Sequence, residues 1–224
     1  MIRDDLFTHI HKALRKGLFD LTVLAGATDW DDPDEVALLG TRWRELHALL
    51  EGHTRHEDDH ILRLLDGRED ERSTASTEEQ HRDLDDLLGH VAQQFDVVLA
   101  EPDRAAGLTL YRDLARFVAA YLPHLHQEET EVMPAIWQRC SDAEIASTRA
   151  AFMAELTPQE TALSMELMLP ALDRPTRAEL VRGLASRAPA QVVEGVMAVA
   201  GRVLPAEDVA RRRTAAEVAG TGPA

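Results

Sequence analysis

The chain carries apolar residues at helical spacing along most of its length, and no stretch alternates as a strand would. This pattern predicts four long helices, at about residues 3–24, 34–65, 77–100 and 105–139. The links between them are short, and the polar composition of residues 67–76 predicts a loop there. Four helices of similar length with short connections predict an all-α fold, an antiparallel up-down-up-down four-helix bundle.

The C-terminal third predicts additional short helices. Ser141 and Thr157 are each followed three residues later by glutamate, which is the pattern of a capping box at a helix start. We therefore expect a bundle over residues 1–140, a helical extension over 141–214 and a disordered tail over 215–224. The extension is expected to pack on the bundle or to form an interface, for which a homodimer is the candidate.

Composition narrows the class of protein. The 224 residues are 45% hydrophobic and 29% charged, which is typical of a soluble globular protein. A net charge of −16 counts against nucleic acid and anionic membranes as partners, because both require Lys and Arg. No apolar run is long enough for a membrane span, and the start has no signal-peptide core. One cysteine, Cys140, predicts a cytoplasmic location, and only two lysines favour a high-GC bacterial source.

All ten histidines lie between His9 and His126, so histidine is concentrated in the predicted bundle. The apolar stripe of the second helix consists of Leu39, Trp43, Leu46, Leu49, Leu50, Ile61 and Leu64. Glu57 falls almost at the centre of that stripe, and His53 lies about 40° away. A carboxylate among apolar residues is unfavourable unless it is paired or binds a metal. Glu57 therefore indicates a site.

The fourth helix repeats this arrangement. His124 and Glu128 have the same His-x-x-x-Glu spacing and lie about 80° and 40° from the centre of its stripe. His11 and His81 flank the stripes of the first and third helices. The candidate metal ligands are therefore His11, His53, Glu57, His81, His124 and Glu128. Nitrogen and carboxylate donors facing a bundle interior suit two iron ions, or manganese, whereas zinc alone rarely needs six ligands.

Four segments resemble the hemerythrin-like (HHE cation-binding) proteins. They are HIHKALR, GHTRHEDDHIL, EEQHRDL and YLPHLHQEETEVMP, which together extend over about residues 3–139. The family signature is a histidine on each helix and His-x-x-x-Glu on the second and fourth. The resemblance implies that the histidines are terminal ligands of two non-heme iron ions, in an Fe-O-Fe or carboxylate-bridged centre. It also implies that the glutamates form bridges and that the centre handles dioxygen, nitric oxide or iron itself.

The third helix departs from the oxygen-carrying members of the family, which have two histidines four residues apart. Here the positions four residues from His81 hold Thr77 and Asp85, so one terminal ligand is absent. His56 and His60 are additional candidate ligands, and Asp85 is a third. The departure counts against reversible oxygen carriage. It favours binding or sensing of dioxygen, peroxide or nitric oxide, with a di-iron oxidase or peroxidase acting on a small substrate as the alternative.

Two further interpretations stay open. The segment HEDDH matches the H-E-x-x-H pattern of zinc hydrolases, although Glu57 lies deeper in the stripe than His56 or His60, the reverse of what that site needs. A metal-free helical interaction module would leave Glu57 and Glu128 as unpaired buried carboxylates, which destabilise a fold. The remaining polar candidates, interpreted as solvated or structural, are His9, His47, His90, His126, Asp58, Asp59, Glu129 and Glu131.

Overall fold

The computed structural model describes residues 3–67, 71–186 and 190–205, and every regular element in these ranges is helical. The helices are α1 (Thr8–Ala27), α2 (Pro33–His56), α3 (Glu71–Ala100), α4 (Arg104–Gln127), α5 (Met133–Arg139), α6 (Asp142–Glu155), α7 (Pro158–Ala171), α8 (Arg174–Ala185) and α9 (Ala190–Val203). The all-α prediction is confirmed. None of the described helices combines the length and apolar character needed to cross a membrane.

Two helix starts differ from the prediction. Helix α1 begins at Thr8 because the carboxylate of Asp5 accepts hydrogen bonds from the backbone N–H groups of Phe7 and Thr8. Helix α3 begins at Glu71, so most of the loop predicted over residues 67–76 is wrong. Its polar residues include good helix formers, and composition alone does not separate a loop from a polar helical turn. The chain changes direction at Gly67, whose φ of 67° suits glycine.

The second and fourth predicted helices are not continuous α-helices. A π-helical turn at Glu57–Ile61 and a 3₁₀ segment at Leu62–Leu65 follow α2. A second π-helical turn at Glu128–Val132 joins α4 to α5. Each π turn begins at the glutamate of a His-x-x-x-Glu pair, and such turns are frequent at functional sites.

The four long helices pack pairwise around an apolar core. Helix α1 contacts α2 and α4, and α3 contacts the same two helices. The largest fully buried side chains belong to Phe7, Phe95, Phe117, Leu14, Leu18, Leu39, Leu46, Leu50, Leu65, Leu110, Leu114 and Leu125. The ring of Phe95 stacks on Trp43 with centroids 4.2 Å apart. This core surrounds the polar residues described below.

The described residues divide into two compact units, with the boundary between Glu155 and Leu156. In the first unit, α6 packs on the turns that follow α2, and Arg149 of α6 forms two hydrogen bonds of 2.7 Å with the carboxylate of Asp4.

In the second unit, α9 packs on α7 and α8, around Met165, Leu169 and Val199. The capping box predicted at Thr157 is confirmed. The tail predicted over 215–224 lies outside the described residues.

Gly107, in the first turns of α4, provides a test of the bundle packing. The indole of Trp30, from the link between α1 and α2, occupies the space that a Cβ atom at Gly107 would need. We expect Gly107→Ala to lower the free energy of unfolding by about 1–3 kcal/mol, because the added carbon overpacks this contact. Urea unfolding followed by circular dichroism measures the change.

Gly89→Ala is the matched control, because a Cβ atom there has no neighbour within 4 Å. Alanine forms helices better than glycine, so this variant should gain about 0.5–1 kcal/mol. Equal gains at both positions would contradict the contact between Trp30 and Gly107.

Candidate metal centre

Six side chains from four helices and their π turns meet inside the bundle. They form two overlapping groups of four: one is His11, His53, Glu57 and Glu128, and the other is Glu57, His81, His124 and Glu128. In each group, one donor atom per residue lies within 4.8 Å of all the others. All six residues are buried, and His11, Glu57 and Glu128 are 0% exposed. The two carboxylates are therefore shared by two pairs of imidazoles.

Every imidazole presents its Nε2 atom to a carboxylate. Nε2 of His53 lies 3.0 Å from Oε1 of Glu57, and Nε2 of His11 lies 3.4 Å from Oε2 of Glu128. Nε2 of His81 lies 3.4 Å from Oε2 of Glu57 and 3.6 Å from Oε1 of Glu128. Nε2 of His124 lies 3.4 Å from Oε2 of Glu128. Each carboxylate thus faces histidines of both donor groups.

Helix geometry explains the two His-x-x-x-Glu pairs. Residues four apart lie on one face of a helix, so His53 and Glu57 project together, as do His124 and Glu128. The backbone N–H of Glu57 bonds to the carbonyls of both His53 and Thr54, and the N–H of Glu128 bonds in the same way. The π turn follows, in which the carbonyl of the glutamate accepts from the backbone N–H five residues on, that of Leu62 for Glu57 and that of Met133 for Glu128. Apolar residues line the core again in the turns that follow.

The residue after each shared glutamate supports a histidine on a neighbouring helix. Asp58 Oδ1 lies 2.8 Å from Nδ1 of His81, and Glu129 Oε1 lies 3.0 Å from Nδ1 of His11. Arg15 also donates to both oxygens of Glu129, at 2.5 and 3.0 Å. An acceptor at Nδ1 holds the ring proton there and leaves the Nε2 lone pair free for a metal.

The sequence pattern predicts solvated faces for Asp58 and Glu129. Asp58 is exposed, but each of the two side chains also contacts a buried histidine, which that prediction does not include. Nothing in their own helix pattern separates them from Asp59 or Glu131, because their partners lie on other helices. One signal was available: each directly follows the glutamate of a His-x-x-x-Glu pair. His124 has a neutral partner that the sequence analysis also missed, since its Nδ1 lies 3.1 Å from Oε1 of Gln80.

The pKa values follow from burial and from the two facing carboxylates. Burial and the negative charge of Glu57 raise the pKa of Glu128 to about 8. Burial also raises the pKa of Glu57, but the imidazoles of His53, His11 and His81 outweigh it and bring that pKa below its ordinary value. A proton on this pair of carboxylates compensates part of their negative charge. A metal cation at the same place would provide the compensating positive charge instead, which couples metal binding to proton release.

The pKa values of His53 and His11 also shift in opposite directions. Burial lowers the pKa of His53 to about 3. Burial acts in the same direction on His11, but its contacts with Glu129 and Glu57 outweigh it and raise the pKa of His11 to about 9. Burial thus favours the neutral form of the His53 imidazole, whereas the facing carboxylates favour the charged form of His11.

The donor set fits a metal. Both oxygens of Glu57 and of Glu128, and Nε2 of His11, His53 and His81, are buried without a hydrogen-bond partner in the described part of the chain. A buried polar atom without a partner is unfavourable by about 1–3 kcal/mol. Metal ligation satisfies all of these atoms together. Imidazole and carboxylate donors in this number suit iron or manganese.

The three candidate replacements for the absent histidine lie elsewhere. The ring of His56 stacks on Phe152, with centroids 5.7 Å apart, and Nε2 of His60 lies 3.1 Å from the carboxylate of Glu155. Asp85 is exposed and lines an open cleft of about 470 Å³. None of the three belongs to either donor group. The H-E-x-x-H interpretation loses support, because it requires His56 and His60 to share one metal.

Tyr121 is a further polar residue at the centre. Its ring lies one turn before His124 on α4, with ring centroids 5.6 Å apart. Burial and the charges of Glu57 and Glu128 raise its pKa well above the ordinary value. The position of Tyr121 among the apolar residues of α4 carries no sign of what its hydroxyl faces.

These features define a class of helical protein with a buried metal-binding site of histidines and shared carboxylates. A family model described as the Hemerythrin HHE cation binding domain matches residues 3–136. The chain belongs to this family. No curated protein and no solved structure gives a significant match to the chain.

His124 and His126 are two residues apart on α4, and only His124 is buried in a donor group. We expect His124→Ala to lose bound metal or to change its absorption spectrum, because an Nε2 donor is removed. His126→Ala should leave both unchanged, since His126 is exposed. Metal content per chain and the spectrum of each purified variant provide the test. Equal losses would contradict the assignment of helix faces.

Asp58 and Asp59 provide a test of the outer contacts. Removal of a hydrogen-bond partner from a ligating histidine typically weakens metal affinity 10–100-fold, so we expect about that loss in Asp58→Ala. Asp59→Ala is the control, because Asp59 is exposed and lies 3.6 Å from Arg63. Anaerobic titration with Fe(II) measures both affinities. Equal affinities in the two variants would show that the contact with His81 does not support ligation.

Proposed function

We propose that the six buried side chains hold two non-heme iron ions, with Glu57 and Glu128 as bridging ligands. His11 and His53 would be terminal ligands of one ion, and the terminal ligands of the other would be His81 and His124. The observation that carries this proposal is that both carboxylates belong to both donor groups. Manganese is the alternative metal, since its ligand preferences overlap with those of iron.

The number of donors supports a role in ligand binding. Each group offers two imidazole nitrogens and two carboxylates, which is fewer than the six ligands of an octahedral ion. None of the three candidate replacements completes the set. A small molecule can therefore bind where protein ligands are missing. The surrounding apolar core keeps bulk water from the site.

We infer that the protein binds or senses dioxygen, peroxide or nitric oxide. When bound, the iron pair would supply the electrons and the open positions that such molecules require, while the chain supplies the closed apolar surroundings. The low donor number also supports a second function, a di-iron oxidase or peroxidase that acts on a small substrate. Consumption of oxygen with turnover of a substrate would distinguish the enzyme from the sensor.

Three further proposals concern the arrangement of the protein. Pairwise packing of α1 with α2 and α4, and of α3 with α2 and α4, supports the antiparallel up-down-up-down order. The link of residues 28–32 between α1 and α2 is short, as that order requires. A cytoplasmic location rests on the single cysteine. A homodimer through the C-terminal helices is the proposed form of self-association.

Metal analysis tests the function. We expect about two irons per chain after anaerobic loading with Fe(II), because each of the two donor groups has two imidazoles and two carboxylates. We also expect the near-ultraviolet spectrum to change on exposure to oxygen. Mass spectrometry measures the metal content. Glu57→Ala should lose both irons, because its carboxylate is shared.

Other outcomes would contradict the proposal. One zinc per chain would instead support the H-E-x-x-H interpretation, a zinc hydrolase. An empty protein after iron loading, with Glu57→Ala and Glu128→Ala both more stable than the parent, would indicate a metal-free interaction module. A buried carboxylate without a partner destabilises a fold, and its removal would then be favourable.

A further inference from the structure

Tyr121 carries a buried hydroxyl that makes no hydrogen bond with the described residues. Its ring packs between Phe117, with centroids 5.3 Å apart, and the ligand candidate His124. The charges that act on the hydroxyl include those of Glu57 and Glu128. The hydroxyl is thus a polar group at the metal centre that the six proposed ligands do not use.

Packing does not explain this hydroxyl. Phe117, one turn earlier on the same face of α4, shows that this part of the core accepts a phenylalanine ring. A phenylalanine at position 121 would fill the same space without burying a hydroxyl that has no partner among the described residues. An unsatisfied buried hydroxyl is unfavourable by about 1–3 kcal/mol, so its presence points to a partner that arrives with a ligand.

We propose that the Tyr121 hydroxyl donates a hydrogen bond to a small exogenous ligand held at the metal centre on the side of His124. The inference rests on the proposed function and adds to it a residue that positions the ligand. The ligand class is a small molecule or anion with an acceptor atom close to the metal, for which azide is the probe. A phenol suits this task because it donates one hydrogen bond and adds no charge beside two carboxylates.

The test compares azide binding by the iron-loaded parent and by Tyr121→Phe. The absorption band that appears on addition of azide gives the Kd. We expect Kd to rise about tenfold in Tyr121→Phe, the effect of losing one hydrogen bond of ordinary strength, with unchanged iron content. Tyr111→Phe is the matched control, since Tyr111 is the other of the two tyrosines, lies on the same helix and is 37% exposed. Its Kd should equal that of the parent.

A second measurement needs neither metal nor azide. The metal-free Tyr121→Phe variant should be at least as stable to urea as the metal-free parent, because the hydroxyl has no partner to lose. A clear loss of stability would show that the hydroxyl is bonded within the protein, and would overturn the proposal.

The remaining outcomes separate this inference from the proposed function. An unchanged azide Kd in Tyr121→Phe, with two irons bound, would overturn the role of Tyr121 alone. Loss of iron, or of a visible phenolate-to-iron band, would make Tyr121 a metal ligand and also overturn it. A parent chain that binds no iron would overturn the proposed function and this inference together, and the iron content identifies that case.

Discussion

The structure depends on two carboxylates that face each other where no water reaches them. Glu57 and Glu128 are 0% exposed, and each would repel the other if both were charged and alone. Four imidazoles surround them with Nε2 directed inward, and protons or a cation must supply the compensating positive charge. The helices that bring these imidazoles are thus held to one register by electrostatics as well as by the apolar core. A shift of one residue along any helix would remove its histidine from the site.

A second constraint is a contact between neighbouring helices that occurs twice in the bundle. Asp58, after the first shared glutamate, reaches His81 on α3, and Glu129, after the second, reaches His11 on α1. Each His-x-x-x-Glu helix therefore provides a ligand pair to the centre and an acceptor to the histidine of a neighbour. This pattern joins α2 to α3 and α4 to α1 at the same level of the bundle. The two π turns begin at this level, so the change of backbone hydrogen bonding coincides with the region of highest polar density.

Much of the site could be predicted because it lies within single helices. Glu57 falls inside an apolar stripe and His53 lies one turn away, and both facts follow from a period of 3.6 residues. The partners of the histidines could not be predicted in this way, since the contact of Gln80 with His124 depends on how α3 packs against α4. The π turns were also missed, because a change in hydrogen-bond register leaves the apolar spacing nearly intact. The start of α3 was missed for a third reason, which is that polar helix formers resemble a loop in composition.

The histidines of the centre differ in the partners of their Nδ1 atoms. The Nδ1 partners of His11 and His81 are carboxylates, whereas that of His124 is the amide of Gln80. A carboxylate partner makes an imidazole a stronger donor, and a neutral amide does so less. Tyr121 lies against the imidazole with the neutral partner. The unsatisfied hydroxyl of Tyr121 therefore lies beside the histidine whose Nδ1 partner carries no charge.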